Sequence, residues 1–70
     1  MNLEMDGIIC ELLSDSTGII LGDDNKYYLY SKVDFLDNCN LELGTKVIFK
    51  PIVKQLEQEI IYRAILIEKK

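Results

Sequence analysis

Three tyrosines lie close together in the segment KYYLYSK, and a lysine flanks them on each side. Aromatic rings displayed on a strand can stack on the bases of a single-stranded nucleic acid, and lysines attract its phosphates. One interpretation is a single-strand-binding site in which Tyr27 or Tyr28, together with Tyr30, stacks on bases, and Lys26 and Lys32 attract the phosphates. The alternative is that tyrosine simply suits a half-buried strand, with its ring packed and its hydroxyl in water.

The other reactive groups are not arranged for catalysis or metal binding. Asp23 and Asp24 are adjacent, so their side chains should point apart, and a turn in which they bond their own backbone explains them. The chain has no histidine, and Cys10 and Cys39 lack the CxxC spacing of a zinc site. We expect both cysteines to be free thiols. We also expect no enzymatic activity, no metal and no cofactor.

Length and charge limit the possible classes of protein. Seventy residues form one small domain, residues 1–70. The net charge of −4 argues against tight binding to duplexes, which requires many neutralised phosphates, but it permits single-strand binding by stacking. No apolar run approaches the roughly 18 residues that span a bilayer, and the start MNLEMDG carries acid where a secretory signal carries base. We therefore expect a cytoplasmic protein with no membrane partner.

Five apolar segments separated by turn signals predict five strands: IICELL, GIIL, KYYLY, KVIFKPIV and IIYRAILIE. Only the connection between the third and fourth strands, residues 31–45, is long. Five short strands with this spacing predict an all-β fold, a small five-stranded antiparallel barrel. Closure of the barrel removes the exposed edges that a short flat sheet would offer to its neighbours.

The order of several short motifs resembles the bacterial cold-shock domain, a five-stranded OB-fold barrel. TGIILGDD resembles that family's Gly-Phe-Ile followed by a two-residue step and Asp-Asp-Gly, and LELGTKVIF resembles its Leu-x-x-Gly-x-x-Val-x-Phe segment. The residues from Ala64 to Ile67 resemble its final strand. The resemblance covers nearly the whole chain. It implies a protein that binds single-stranded RNA or DNA through aromatic residues on its first three strands.

The chain departs from that family at most of the stacking positions on its first two strands. Thr17 and Ile19 stand where the first nucleic-acid-binding motif of the family has aromatic residues. Cys10 and Glu11 stand near a family lysine and tryptophan. None of these side chains offers a ring to a base, and a glutamate would repel a phosphate.

The second motif of the family is better preserved. YYLYS resembles its Phe-Val-His-Phe-Ser run, and alignment on Ser31 keeps aromatics at Tyr27 and Tyr30, while Leu29 replaces the histidine. Because a shift of one residue exchanges the two faces of a strand, either Tyr27 or Tyr28 could be the outward ring.

The aliphatic residues that replace the rings suggest a second function. If Ile8, Cys10, Ile19 and Ile48 face outward, one side of the barrel is an apolar patch of the kind that marks a partner surface or a dimer contact. Two functions therefore remain open. One is weak, non-catalytic binding of single-stranded nucleic acid, RNA in preference to DNA, which the resemblance and the tyrosines favour by a narrow margin. The other is a module for protein–protein interaction or homodimerisation.

Overall fold

The computed structural model describes residues 3–37 and 40–70, so Cys39 lies outside the described residues. They form five strands and one short 3-10 turn at Lys32–Asp34. The strands are β1 (Met5–Leu12), β2 (Thr17–Gly22), β3 (Tyr27–Ser31), β4 (Lys46–Gln55) and β5 (Ile60–Lys69). Each strand matches one of the apolar segments predicted from the sequence.

The strands close into a barrel in the order β1-β2-β3-β5-β4, and β4 pairs with β1 to complete the ring. The predicted all-β barrel of five strands is confirmed, and the architecture is that of a small OB-fold-like barrel. The barrel is antiparallel except at one seam, where β3 runs parallel to β5 and Leu29 pairs with Arg63. An odd number of strands cannot alternate in direction around a closed ring, so one neighbouring pair must be parallel.

Two tight turns fix the register of the first three strands. The Ser14 hydroxyl accepts hydrogen bonds from the backbone N–H groups of Ser16 and Thr17, which closes the β1–β2 turn. In the β2–β3 turn the Gly22 N–H donates to the Lys26 carbonyl, and Asn25 takes a left-handed φ of 66°, a conformation that asparagine tolerates better than most residues. This turn places Tyr27 opposite Leu21 and Tyr28 opposite Ile20.

Two irregularities bend the barrel. In β1, Ile9 pairs with Ile20 but Glu11 pairs with Ile19, so Cys10 is an extra residue in that strand. In β5 there is one extra residue between the partners of Ile48 and Lys50. Leu66 lies there with a left-handed φ of 50°. Bulges of this kind increase the local twist of a strand, which helps a short sheet to close.

The core of the barrel contains two of the three predicted binding tyrosines. Tyr28 and Tyr30 are 3% and 2% exposed, so neither ring is offered to a base, and the prediction that they stack on nucleic acid is corrected here. Side chains alternate between the two faces of a strand, and Tyr28 and Tyr30 share the inward side of β3. The other buried core side chains are Ile9, Ile20, Val47, Phe49, Ala64 and Ile67.

The long connection after β3 lies against the end of the barrel. Phe35 and Leu41 pack against the core, and Phe35 pairs with Ile67 in a parallel bridge that extends the β3–β5 seam. Within the described residues, no helix is long and apolar enough to cross a membrane.

Candidate functional site

The outward side of β1, β2 and β3 is apolar. Two rows of side chains cross it. In the first row, Leu21 lies between Ile8 and Tyr27. In the second row, Ile19 lies between Glu11 and Leu29. We define the outer face as the six uncharged side chains of these rows and the bulge: Ile8, Cys10, Ile19, Leu21, Tyr27 and Leu29.

Several of these side chains remain open to solvent. Tyr27 is 63% exposed, Leu29 44% and Ile8 41%, while Ile19 and Leu21 are half-buried. Scattered apolar residues are normal on any protein surface, but a contiguous apolar patch marks an interaction site. The strand register makes this patch contiguous, because each member lies beside or diagonal to another.

The bulge in β1 adds Cys10 to the outer face. Two residues of β1 oppose the single residue Ile19, and Cys10 is exposed with a free thiol. The apolar-patch interpretation required an outward Cys10, and the structure places it outward; the expectation of a free thiol can be compared with the structure only for Cys10, which is free.

Ile48 lies at the border of the predicted patch, on the outward side of β4. It is half-buried on β4 and pairs with Asp6 on one side and Glu68 on the other. The structure therefore brings Ile8, Cys10 and Ile19 together and places Ile48 diagonal to Ile8, in a row with two carboxylates. Sequence reasoning missed Leu21 and Leu29 as members of the apolar face.

A groove lies beside the outer face. It has a volume of about 320 Å³, and its apolar wall is formed by Ile8 and Leu21. Gly7 and Gly22 pair across β1 and β2 in its lining. The charged residues around it are Asp6, Asp23, Lys46 and Lys70.

An ion pair borders this groove. The Lys70 Nζ lies 2.7 Å from an Asp6 carboxylate oxygen, and both side chains are about half exposed. A pair exposed to this degree contributes little to stability. A competing charge can therefore separate it at low cost.

Tyr28 anchors the β2–β3 turn from inside the barrel. Its hydroxyl donates a 2.6 Å hydrogen bond to Asp24, whose other oxygen accepts the Lys26 N–H. The bond from Tyr28 lowers the pKa of the Asp24 carboxyl from its usual 3.8. Burial, and secondarily the Asp24 carboxylate, raises the pKa of Tyr28 to about 12. Asp24 therefore stabilises a turn, as the sequence indicated.

Tyr30 packs in a different environment. Its ring meets Phe35 edge-on, and its hydroxyl makes no hydrogen bond to any described residue. Burial alone raises the pKa of this phenol. Only 2% of the residue is exposed, and it forms part of the floor of the cleft beside Lys32.

The two predicted binding lysines lie at opposite ends of β3. Lys26 precedes the strand and holds its Nζ 5.3 Å from the centre of the Tyr62 ring, a cation–π distance. Lys32 follows the strand and, together with Tyr30, lines a cleft of about 200 Å³ whose walls also include Ser14, Asp15 and Leu41. Of the five residues predicted to bind nucleic acid, Tyr27, Lys26 and Lys32 are exposed.

The cation beside Leu29 is already paired. Arg63 lies beside Leu29 and contacts Asp34 at 3.2 Å. In residues 3–37 and 40–70, no three His, Cys, Asp or Glu side chains are grouped to hold a metal ion.

Comparison of the chain with protein-family models and with curated proteins found no match in either.

Proposed function

We propose that this chain is a cytoplasmic, non-catalytic interaction module that docks a protein partner on its outer face. The observation that carries the proposal is the register of β1, β2 and β3. It gathers Ile8, Ile19, Leu21 and Leu29 side by side with the exposed ring of Tyr27. Complete burial of one aliphatic side chain contributes about 1.5–3 kcal/mol. Several that are partly open on one face can together supply a useful binding free energy.

Single-strand binding by stacking is less well supported because only one of the three candidate rings lies outward. One stacked base contributes about 1–3 kcal/mol, whereas micromolar affinity needs about 8 kcal/mol. The net charge of −4 supplies no general attraction for phosphate.

A second candidate function rests on Tyr27, which is 63% exposed. The motif order also supports a cold-shock-like origin for the barrel, and that resemblance favours single-stranded RNA over DNA. In this reading Tyr27 stacks on a base, and Lys26 and Lys32 attract the phosphates. We expect such binding to be weaker than micromolar, for the energetic reason given above.

Photo-crosslinking in the native cells tests the proposed docking. A photoreactive residue placed at Cys10 should capture a discrete protein, whereas the same residue at the exposed Lys54 of β4 should not. The captured protein is then purified and its affinity for the module measured. If both positions give the same products, or neither gives any, the outer face is not a docking surface.

Two substitutions test the site itself. Ile19→Glu and Leu29→Glu each place a charge in the middle of the outer face, and we expect each to weaken binding of the purified partner at least tenfold. Val53→Glu is the matched control, since Val53 is an exposed aliphatic residue on β4. Circular dichroism verifies that all three variants remain folded. Unchanged affinity in folded Leu29→Glu would contradict the assignment.

A titration with a fluorescent pyrimidine-rich oligonucleotide at low and high salt separates the two candidate functions. Docking of a protein predicts no binding at about 100 micromolar chain even at low salt, where phosphate contacts are strongest. Micromolar binding that Tyr27→Ala abolishes would instead establish the second candidate.

A further inference from the structure

The groove beside the outer face suggests what kind of partner docks there. We propose that it receives one apolar side chain from a peptide segment in which that side chain is flanked by lysine or arginine. This inference rests on the proposed docking function and specifies the chemistry of the partner.

The shape of the groove follows from the strand register. Asp6 and Asp23 lie in one row, and Ile8 and Leu21 lie in the row two residues along. Gly7 and Gly22 lie between the rows, and their Cβ directions lead into the barrel, where an added Cβ would meet core atoms such as the Phe49 ring. Only backbone therefore faces outward between the two rows, as it would for any residue at these inward positions. The space between the rows is therefore a recess with an apolar wall and a volume of about 320 Å³. A recess of this kind suits one aliphatic or aromatic anchor side chain.

The groove has two carboxylates and two lysines, so its own charges balance, but they lie on different parts of the chain. Asp6 and Asp23 border it from β1 and the β2–β3 turn, and Lys46 and Lys70 border it from β4 and the end of the chain. The carboxylate side favours a cationic flank. The Asp23 carboxylate makes no ion pair with any described residue, and Asp6 is held only by the exposed Lys70 pair. Glu68 adds a further carboxylate two strands away, across Ile48 from Asp6. A lysine or arginine of the partner can pair with Asp23, or replace Lys70 at Asp6. The net charge of −4 adds a long-range attraction for a basic segment.

A second copy of the chain fits this surface less well. It would bring the same net charge of −4 and the same row of carboxylates, and like charges across an interface oppose association. A standard interface also buries about 800 Å² on each partner, whereas this apolar face consists of six side chains that are already partly covered. A short segment with one anchor matches a surface of this size.

Three synthetic peptides test the inference by fluorescence anisotropy. Each is an eight-residue peptide labelled with fluorescein. The first has the central sequence Lys-Leu-Phe-Lys, the second replaces both lysines with glutamate, and the third replaces Leu-Phe with Gly-Gly. At low salt we expect the first to bind at least tenfold more tightly than either of the others. Equal binding of the first and second peptides would overturn the basic flank. Equal binding of the first and third would overturn the apolar anchor.

Charge variants of the protein locate the contact. Asp23→Lys should weaken the first peptide about tenfold, and Lys46→Glu, on the opposite rim, should leave its binding unchanged or tighten it. Both positions are exposed, so neither change disturbs the core. Affinity that Asp23→Lys leaves unaltered would overturn the inference, as would sedimentation showing that the chain forms dimers through this face.

The two proposals can fail separately. If the acidic peptide binds as well as the basic one and Ile8→Glu abolishes both, the groove is a docking site and only the basic specificity is wrong. If no peptide binds, the inferred partner chemistry is wrong, and crosslinking from Cys10 decides whether the outer face docks any protein at all.

Discussion

Gly18 shows how closely the inner wall of this barrel is packed. The Tyr30 ring lies directly over it, and a Cβ at this position would lie 2.6 Å from the Glu11 carbonyl oxygen and 2.6 Å from a Tyr30 ring carbon. Real Cβ atoms do not approach backbone oxygen so closely, and a backbone atom in a sheet cannot move aside cheaply. The side-chain position of Gly18 is thus occupied by Tyr30.

We expect Gly18→Ala to destabilise the fold by about 3 kcal/mol, the upper part of the usual range for overpacking. Gly44→Ala is the matched control. Its added Cβ meets nothing within 4 Å, and only the left-handed φ of 86° opposes it, at about 1 kcal/mol. Urea unfolding of both variants measures the difference. An equal loss of unfolding free energy in the two variants would mean that the barrel can relax around a methyl group at position 18.

The two buried tyrosine hydroxyls should differ in their contribution to stability. Tyr28→Phe removes the hydrogen bond to Asp24, so we expect a loss of about 1 kcal/mol at neutral pH. Tyr30→Phe removes a buried hydroxyl that has no partner among the described residues. We expect that variant to be as stable as the parent or more stable by about 1 kcal/mol. Thermal unfolding measures both, and a greater loss from Tyr30→Phe would contradict this account.

The Tyr28–Asp24 bond also predicts a pH dependence. The pKa of Asp24 is lowered in the folded state, so its contribution is fully present above its unfolded pKa of 3.8 and is lost as the pH falls through the folded value. The pKa of Tyr28 is raised to about 12, so its contribution is present below pH 10 and is lost as the pH rises towards 12. The stability difference between the parent and Tyr28→Phe should therefore shrink at both extremes. A difference independent of pH would exclude this coupling.

The tyrosine pattern illustrates what a sequence can and cannot specify about a single residue. KYYLY predicted a strand, and the strand exists. Tyr27 and Tyr30 differ by an odd number of positions, so a regular strand cannot turn both outward. Which side each takes depends on the β2–β3 turn, where the left-handed Asn25 sets the register. The letters DDNK favoured a turn but did not determine its geometry.

At the scale of the elements, β5 contains the least favourable backbone position described. Leu66 is a non-glycine residue with φ of 50°, a region that costs most L-residues about 1–2 kcal/mol. The extra residue there lets β5 follow β4 along its whole length while the sheet curves. The apolar run IIYRAILIE predicted the strand but gave no sign of this bulge.

We expect Leu66→Asn to change stability by less than about 0.5 kcal/mol, because asparagine tolerates the left-handed region. Leu66→Val should lose about 1 kcal/mol or more, because a β-branched residue is strained there. Leu29, an exposed position in β3, is the control, and the order should reverse there because valine suits a regular strand better than asparagine. Chemical denaturation of the four variants measures this, and the same order at both positions would argue against strain at Leu66.

For the outer face, the alternation of residues predicted part of the answer. The apolar-patch interpretation required Ile8 and Ile19 to face outward, and they do. Leu21 and Leu29 share the same period of two with Ile19 and Tyr27, so that signal was available. The bulge at Cys10 could not be anticipated, because it depends on how β1 must bend to meet both β2 and β4.

For the whole molecule, the seam between β3 and β5 is the thinnest part of the barrel wall. Among the described residues, one pair joins the two strands, Leu29 with Arg63, and the bridge from Phe35 to Ile67 continues the seam. By contrast, eight pairs join β4 and β5. Beyond the seam, the ends of β4 and β5 extend as a two-stranded hairpin.

This arrangement predicts an order of hydrogen exchange. Amides in residues 52–55 and 60–62 should exchange fastest within the strands, because the hairpin there is bordered by no third strand among the described residues. The amides of Ile20, Val47 and Phe49, in the core, should exchange slowest. Exchange followed by NMR tests this order. Uniform protection of the β5 amides from exchange would show that the β3–β5 seam opens no more readily than the other strand pairs.

The overall barrel was predictable because strand number, turn positions and the long connection are all local features of the sequence. The parallel β3–β5 seam is not a local feature of the sequence, because the two strands are separated by the whole of β4. Only the closure of the ring requires this pairing.

Along β2 and β3, side chains alternate strictly between the core and the outer face, so residues on one side can be mutated independently of those on the other. Gly18, Ile20, Tyr28 and Tyr30 hold the barrel together, while Ile19, Leu21, Tyr27 and Leu29 meet the solvent. Specificity can therefore drift, or be redesigned, without repacking the core. Aromatic residues grafted at Ile19 and Leu29 beside Tyr27 would turn an aliphatic docking patch into a stacking platform. Two proteins with the same inner sequence could thus recognise unrelated classes of ligand.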